Sequence, residues 1–304
     1  MRNLNDFKDR LVKEHKYTED FAISLATSAE SIIDYIGEEY ETLVKDAIAS
    51  CKYEISKKPK RSVLGYASTE SGYSANPKIV FENGTFSIAG VEKKITLPNT
   101  FNTDNPAYIG DMINKTISLV RAEASGFTIN GSTLSERRGF ENTEYKLKLE
   151  SGEVKREMTR KTGTSLENGM TSYSELSIMR TDYDSTYELA NGNDYARNLA
   201  GVLSDGIGLK NLMIEAAMSG NTEKLASLIE SATGLEWKEF ISLTDGIAKR
   251  EQAKRDASLD SEKLKSALKN LDDYYAEKIA PMTRMIINNL DLNLEEEQTY
   301  QKVA

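Results

Sequence analysis

Ile109, Met112, Ile113, Thr116, Ile117 and Val120 recur at i, i+3, i+4, i+7, i+8 and i+11, the rhythm of one helix face. This spacing predicts a helix from Asn105 to Arg121 lying on a core. Asp104 or Asn105 is suited to cap it, Pro106 fits its first turn, and Gly126 supplies a stop just past its end. Asn114, Lys115 and Ser118 fall at the edge of the apolar stripe, where a helix lining a cleft would present side chains to a ligand.

The segments 3–16 and 18–56 carry the same helical period, with Phe21, Ile32, Ile33, Ile36, Val44 and Ile48 in the stripe and Gly37 offering a break. Glu19 and Asp20 suit the positive end of the helix dipole. After the basic hinge Lys57–Arg61 the period shortens to two. A strand is expected over Ser62–Ala67 and a polar loop over Ser68–Pro77. Lys78–Glu82 and Thr85–Ala89 then form a hairpin around Asn83-Gly84, followed by an alternating strand over Val91–Leu97. Phe127–Asn130 is short and extended, and Tyr145–Leu149 with Val154–Thr159 makes a second hairpin around Ser151-Gly152. A second helix is predicted over Ser165–Ile178, with Leu166, Met170, Tyr173 and Ile178 inward. Beyond residue 193 the pattern is helical: 194–204, 209–219, 222–231, 237–249 and 260–290, with stops at Gly206, Gly220 and Gly234, a kink or division at Pro281, and a solvated tail around 293–297. The predicted architecture is α+β in three segments. Residues 1–57 form a helical arm, 58–192 a small, mostly antiparallel sheet with two packed helices, and 193–304 a helical domain.

The two helices carry a resemblance. Zinc metallopeptidases have a helix of the form hydrophobic-hydrophobic-His-Glu-x-x-His, whose histidines ligate zinc and whose Glu is the general base; their glutamate-ligand subgroup, the gluzincins, adds a later helix of the type Asn-Glu-Gly-hydrophobic-Thr-x-Tyr. Met112-Ile113-Asn114-Lys115-Thr116-Ile117-Ser118 resembles the first, and Glu167-Asn168-Gly169-Met170-Thr171-Ser172-Tyr173 the second. The resemblance puts Asn114 and Ser118 at the histidine positions, Lys115 at the catalytic Glu and Asn168 at the third ligand. Every position that would do chemistry is replaced, and an ammonium beside a metal site repels the cation. The resemblance therefore implies a zincin-like fold without metal, cofactor or catalysis, in which Glu167 and Tyr173 flank a cleft for a peptide or partner protein. It also implies that the strand Val91–Leu97 is an edge that receives an extended peptide.

Composition narrows the function classes further. A formal charge of −9 and a pI near 5.0 argue against a general nucleic-acid binder. No apolar run reaches membrane-span length, and the N-terminus lacks an apolar leader, so a cytoplasmic protein is expected, bound to no membrane. One cysteine, Cys51, rules out an intrachain disulfide, and one histidine, His15, rules out a two-histidine zinc site. Cys51 and Trp237 read as packing residues. Asp182 and Asp184 form an Asp-x-Asp pair of the kind that holds magnesium in nucleotidyltransferases, but Gly169-Met170 stands where those enzymes carry Gly-Ser. Glu144 and Lys146 make a strand Glu-x-Lys that cross-strand pairing explains. Three functions follow in order: a non-catalytic peptide- or partner-binding protein, an assembly component of a phage or mobile element, and a magnesium enzyme using Asp182 and Asp184. The oligomeric state is not legible in the sequence.

Overall fold

The computed structural model describes residues 4–56, 59–61, 67–69, 72–98, 101–189, 194–257 and 261–290. The strand expected over Ser62–Ala67 lies outside them but for Ala67, as does the tail at 293–297. The described chain is α+β, with small sheets and a helical C-terminal part. It gathers into two compact units. The first takes the described residues of Met1–Arg138, Thr143–Arg160 and Ser174–Asn191; the second takes those of Gly139–Asn142, Lys161–Tyr173 and Gly192–Ala304. The described residues on either side of the expected limit at residue 57 both belong to the first unit, and the described chain enters the second for the last time at Asp194.

The first unit opens with α1 (Asn5–His15), α2 (Glu19–Ile36) and α3 (Glu41–Ser50). Thr18 caps α2 by accepting the Phe21 N–H. The helical stretch expected over 18–56 breaks at Gly37, as its sequence offers, and is corrected at its end. Gly37 adopts φ +123°, a conformation that ends α2 and that L side chains rarely adopt, before a 3₁₀ turn leads into α3. Lys52–Ile55 is then a strand, β1, because its backbone pairs in parallel with a later strand, from Lys52 opposite Lys94 to Ile55 opposite Leu97. Sheet pairing overrides the helical period there.

Part of the basic hinge is also extended: β2 (Pro59–Arg61) pairs antiparallel with β3 (Ala67–Thr69). β4 (Gly72–Glu82) and β5 (Thr85–Leu97) form the first hairpin, whose turn residues Asn83 and Gly84 both have positive φ, at 52° and 81°. The loop expected over 68–77 is strand from Gly72 onward, because Gly72–Pro77 is held opposite Thr96–Val91. The sheet order is β1-β5-β4. β5, expected at the edge, is therefore flanked by β1 over Lys94–Leu97, and among the described residues β1 and β4 are the outer strands.

Next comes α4 (Pro106–Ser125), the helix read from the Ile109–Val120 stripe. The Asn105 side chain accepts the Ala107 N–H at 3.0 Å, and Gly126, at φ +66°, returns its N–H to Ala122 at 2.7 Å. Met112, Ile113, Ile117 and Leu119 are fully or almost fully buried, and α4 packs against α3, β4 and β5. Beneath it the Tyr53 hydroxyl of β1 bonds Thr116 at 3.3 Å. A second sheet follows, β6 (Phe127–Asn130), β7 (Thr133–Arg138), β8 (Glu141–Glu150) and β9 (Glu153–Thr162), in that order, so β9 is an edge. Its last turn uses Ser151 and Gly152, both at positive φ.

From β9 the chain enters α5 (Thr164–Asp182), whose first part, to Tyr173, belongs to the second unit and whose remainder belongs to the first. The second unit is otherwise helical: α6 (Asp194–Gly201), α7 (Lys210–Ser219), α8 (Glu223–Thr233), α9 (Trp237–Asp256) and α10 (Ser261–Tyr274). Its core holds Leu166, Met170, Leu199, Met213, Ile229, Phe240 and Ile286. Gly220 and Gly234 end α7 and α8 in the left-handed conformation. Gly206 does not act as a stop; it closes a π turn over Val202–Gly206. Pro281 neither divides nor ends its helix. The wider π turn at Tyr275–Ile279 lies where the ring would meet the preceding carbonyls, and helix continues over 280–290.

The start of α5 is fastened by α9. Asp245 accepts the N–H groups of Gly163 at 2.8 Å and Ser165 at 3.2 Å, and Ser165 Oγ accepts the Ala248 N–H at 2.9 Å. Gly163 has φ +77°, and a Cβ there would lie 1.9 Å from the Phe140 carbonyl oxygen. Gly163→Ala is expected to cost roughly 1–3 kcal/mol from backbone strain and crowding. Denaturant unfolding should show a lowered midpoint at unchanged slope; an unchanged midpoint would contradict this packing.

Candidate functional site

On α4 the polar residues Asp111, Asn114, Lys115 and Ser118 follow at i, i+3, i+4 and i+7, so they share one helix face. In the first unit that face meets the last part of α5 and the segment after it. The Asn114 amide donates to Glu175 Oε2 at 2.8 Å, and the Tyr187 hydroxyl donates to Glu175 Oε1, also at 2.8 Å. Lys115 Nζ donates to Asn114 Oδ1 at 3.3 Å and lies 3.5 Å from the Asp111 carboxylate. Gly110 makes room for the cluster: a Cβ there would sit 2.2 Å from the Tyr187 hydroxyl oxygen and 2.9 Å from Glu175 Oε1. One turn beyond buried Ser118, buried Arg121 reaches Ser174 Oγ at 3.4 Å, a second link between α4 and α5.

Glu175 is the electrostatic centre of this group. Burial pushes its carboxyl up to about 7, against the hydrogen bonds from Tyr187 and Asn114; the Asp111 charge adds to the rise and Lys115 opposes it. Burial, and then the neighbouring Glu175 charge, holds the Tyr187 hydroxyl above the usual phenol range. Near neutrality the Glu175 carboxyl is therefore poised between its charged and neutral forms.

These groups do not suit zinc. Asn114 has turned its amide nitrogen to a carboxylate, Lys115 places an ammonium on the same face, and among the described residues no three His, Cys, Asp or Glu side chains converge to hold a metal ion. His15 stacks on Tyr17 with ring centroids 5.3 Å apart. Cys51 is buried and its thiol is pushed up to about 12 by desolvation, which leaves it unreactive.

The positions singled out on the second helix belong to the other unit. Asn168 is half-buried there. Glu167, 1 % exposed, accepts the Phe140 N–H at 3.0 Å and the Thr171 hydroxyl at 3.2 Å. It fastens the tight turn at Gly139, where φ is +57° and a Cβ would lie 1.9 Å from Glu167 Oε2. The Tyr173 hydroxyl donates to Asp205, and its ring lies against Gly201. In these contacts Glu167 and Tyr173 brace the second unit. Of the acidic pair, Asp184 Oδ1 accepts both the N–H and the hydroxyl of Thr186, at 2.9 and 2.7 Å, as an Asx turn does. Asp182 ends α5 in an exposed position. Trp237 packs against Phe240 and Phe140.

Glu175 and Tyr187 were not singled out from the sequence, although one signal was present. Glu175 follows Thr171 by four residues and precedes Ile178 by three, so it lies on the buried side of α5, where an acid needs partners. Comparison of the chain with protein-family models, with curated proteins and with solved structures gave no match in any of the three. Among the described residues no helix is long and apolar enough to cross a membrane.

The raised Glu175 carboxyl has a definite pH signature. Its folded value, about 7, exceeds the ordinary 4.5, so its stabilising share is complete below about pH 4.5 and is lost as pH rises through 7. Between those limits the folding free energy should fall by about 3 kcal/mol from this group. Glu175→Gln should flatten that part of the profile in urea unfolding followed from pH 4.5 to 8. An identical slope in the variant would show that Glu175 is not the titrating group.

Proposed function

We propose that this chain is a non-catalytic, metallopeptidase-like protein that binds a peptide or a partner protein without zinc. One observation carries the reading: where the resemblance places a zinc-ligating histidine, Asn114 instead spends its amide on Glu175. The helix keeps its apolar frame while its Asn114 amide is engaged by the Glu175 carboxyl, which the Tyr187 phenol also meets. An enzyme of the zincin type needs that face to hold a cation and activate a water. Here Lys115 lies beside Asp111 and Asn114 and leaves no general base at its position. The binding half of the reading is supported by β4, an outer strand of its sheet among the described residues, whose outer side suits strand addition by an extended segment.

A specific feature also favours assembly as a second reading. Two exposed ribbons carry apolar side chains: Phe81 and Phe86, with centroids 4.7 Å apart near the β4–β5 turn, and Leu149 and Met158 on β8 and β9. Such residues are ordinary at interfaces between subunits.

Incubation of the purified chain with a mixed peptide library, read by mass spectrometry, tests the first reading. Bound peptides should be recovered intact, with deuterium uptake slowed along β4. Cleavage that Asn168→Ala abolishes would overturn it. Sedimentation of the same sample distinguishes the second: a monomer agrees with binding, whereas a large defined oligomer favours assembly.

A further inference from the structure

Among the described residues β9 is the last strand of its sheet, and it is exposed along almost its whole length. The two-residue turn at Ser151-Gly152 makes Glu150 and Glu153 neighbours. Alternation then sorts the hairpin into two faces: Leu147 and Leu149 with Val154, Arg156, Met158 and Arg160 on one, and Lys146 and Lys148 with Glu153, Lys155, Glu157 and Lys161 on the other. On the second face Lys148 pairs with Glu157 at 2.6 Å and Lys155 with Glu153 at 2.8 Å, while Lys161 at its end reaches Glu141, a residue of the Leu147 face, at 3.0 Å. Lys146 adds to the field that lowers Glu157. The first face differs. Leu147 is buried, so this is the core side of the sheet, yet it continues outward to Leu149 at 48 % and Met158 at 60 % exposure. Arg156 and Arg160, on either side of Met158, have no carboxylate within ion-pair distance among the described residues.

We propose that this face and edge of β9 dock an extended acidic segment of a partner protein, which adds to the sheet as a further strand. The inference does not depend on the metallopeptidase-like reading. Arg156 and Arg160 are four residues apart, about 13 Å along a strand. A matching partner strand presents carboxylates at i and i+4 and an apolar residue at i+2, the latter covering Met158 and the former the two guanidiniums. A second copy of this chain is the weaker occupant, since two β9 edges paired with each other would bring four guanidiniums onto one face. Nucleic acid is disfavoured too: the chain carries −9 overall, and two unpaired cations around a methionine give few phosphate contacts.

The test is fluorescence anisotropy of the whole chain with a short labelled peptide centred on Glu-Thr-Ile-Thr-Glu. A control peptide carries Lys in place of both Glu residues. The acidic peptide should bind saturably, more weakly as salt rises, and the control should not bind. The double variant Arg156→Glu, Arg160→Glu, made at exposed positions, should weaken binding at least about tenfold, or about 1.4 kcal/mol. Lys155→Glu, on the opposite face, should leave it unchanged, and both variants should keep the parent melting temperature. Slowed amide exchange along β9 in the complex would support strand addition. The proposal is overturned by no binding, by equal binding of the control peptide, by a double variant that binds as the parent does, by preference for a single-stranded oligonucleotide, or by a dimer in sedimentation that the double variant dissolves.

Discussion

The hydrogen bond from the Asn114 amide to the Glu175 carboxyl is the constraint around which the first unit's polar interior is arranged. A carboxyl group buried this deeply is costly unless its oxygens are met, and each is met once, by Asn114 and by Tyr187. That requirement explains the neighbours. Gly110 is small because the Tyr187 hydroxyl occupies the space a side chain would take, and Lys115 lies between Asp111 and Asn114 to offset acidic charge. Arg121 and Ser174 repeat the link one turn along. α4 is thus tied to α5 by polar contacts above and sealed by Met112, Ile113 and Ile117 below.

The same arrangement sets what the helix can do. A site for metal chemistry keeps lone pairs uncommitted until the ion arrives, whereas here the Asn114 amide and both Glu175 oxygens are already engaged within the protein. Among the described residues β4 and β9 each end their sheet, and Arg156 and Arg160 on β9 have no carboxylate within ion-pair distance. Both are strand edges, where unpaired backbone groups are ready to pair.

Legibility in the sequence followed the range of the interactions. α4 was readable with its cap and stop because an apolar stripe, Asn105-Pro106 and Gly126 are local signals. The Asn83-Gly84 and Ser151-Gly152 turns were readable for the same reason. β1 was not, since Lys52–Ile55 becomes a strand only through pairing with residues some forty positions away, and the central place of β5 depends on that same pairing. Within the site, motif spacing directed attention to Asn168, while the residue in contact with Asn114 is Glu175, two helical turns further on the same face. A motif match counts positions along the chain, and the partner of a buried amide is fixed by packing. Glu167 and Tyr173 were visible as candidates, but their bonds to Phe140 and Asp205 are long-range and lay beyond any local pattern.

Calorimetric titration of the purified chain with zinc at neutral pH tests most directly whether Asn114 on α4 is committed to Glu175 instead of to a metal ion. The account predicts no heat beyond dilution at micromolar protein. A one-to-one isotherm with submicromolar affinity, abolished by Asn114→Ala, would contradict it.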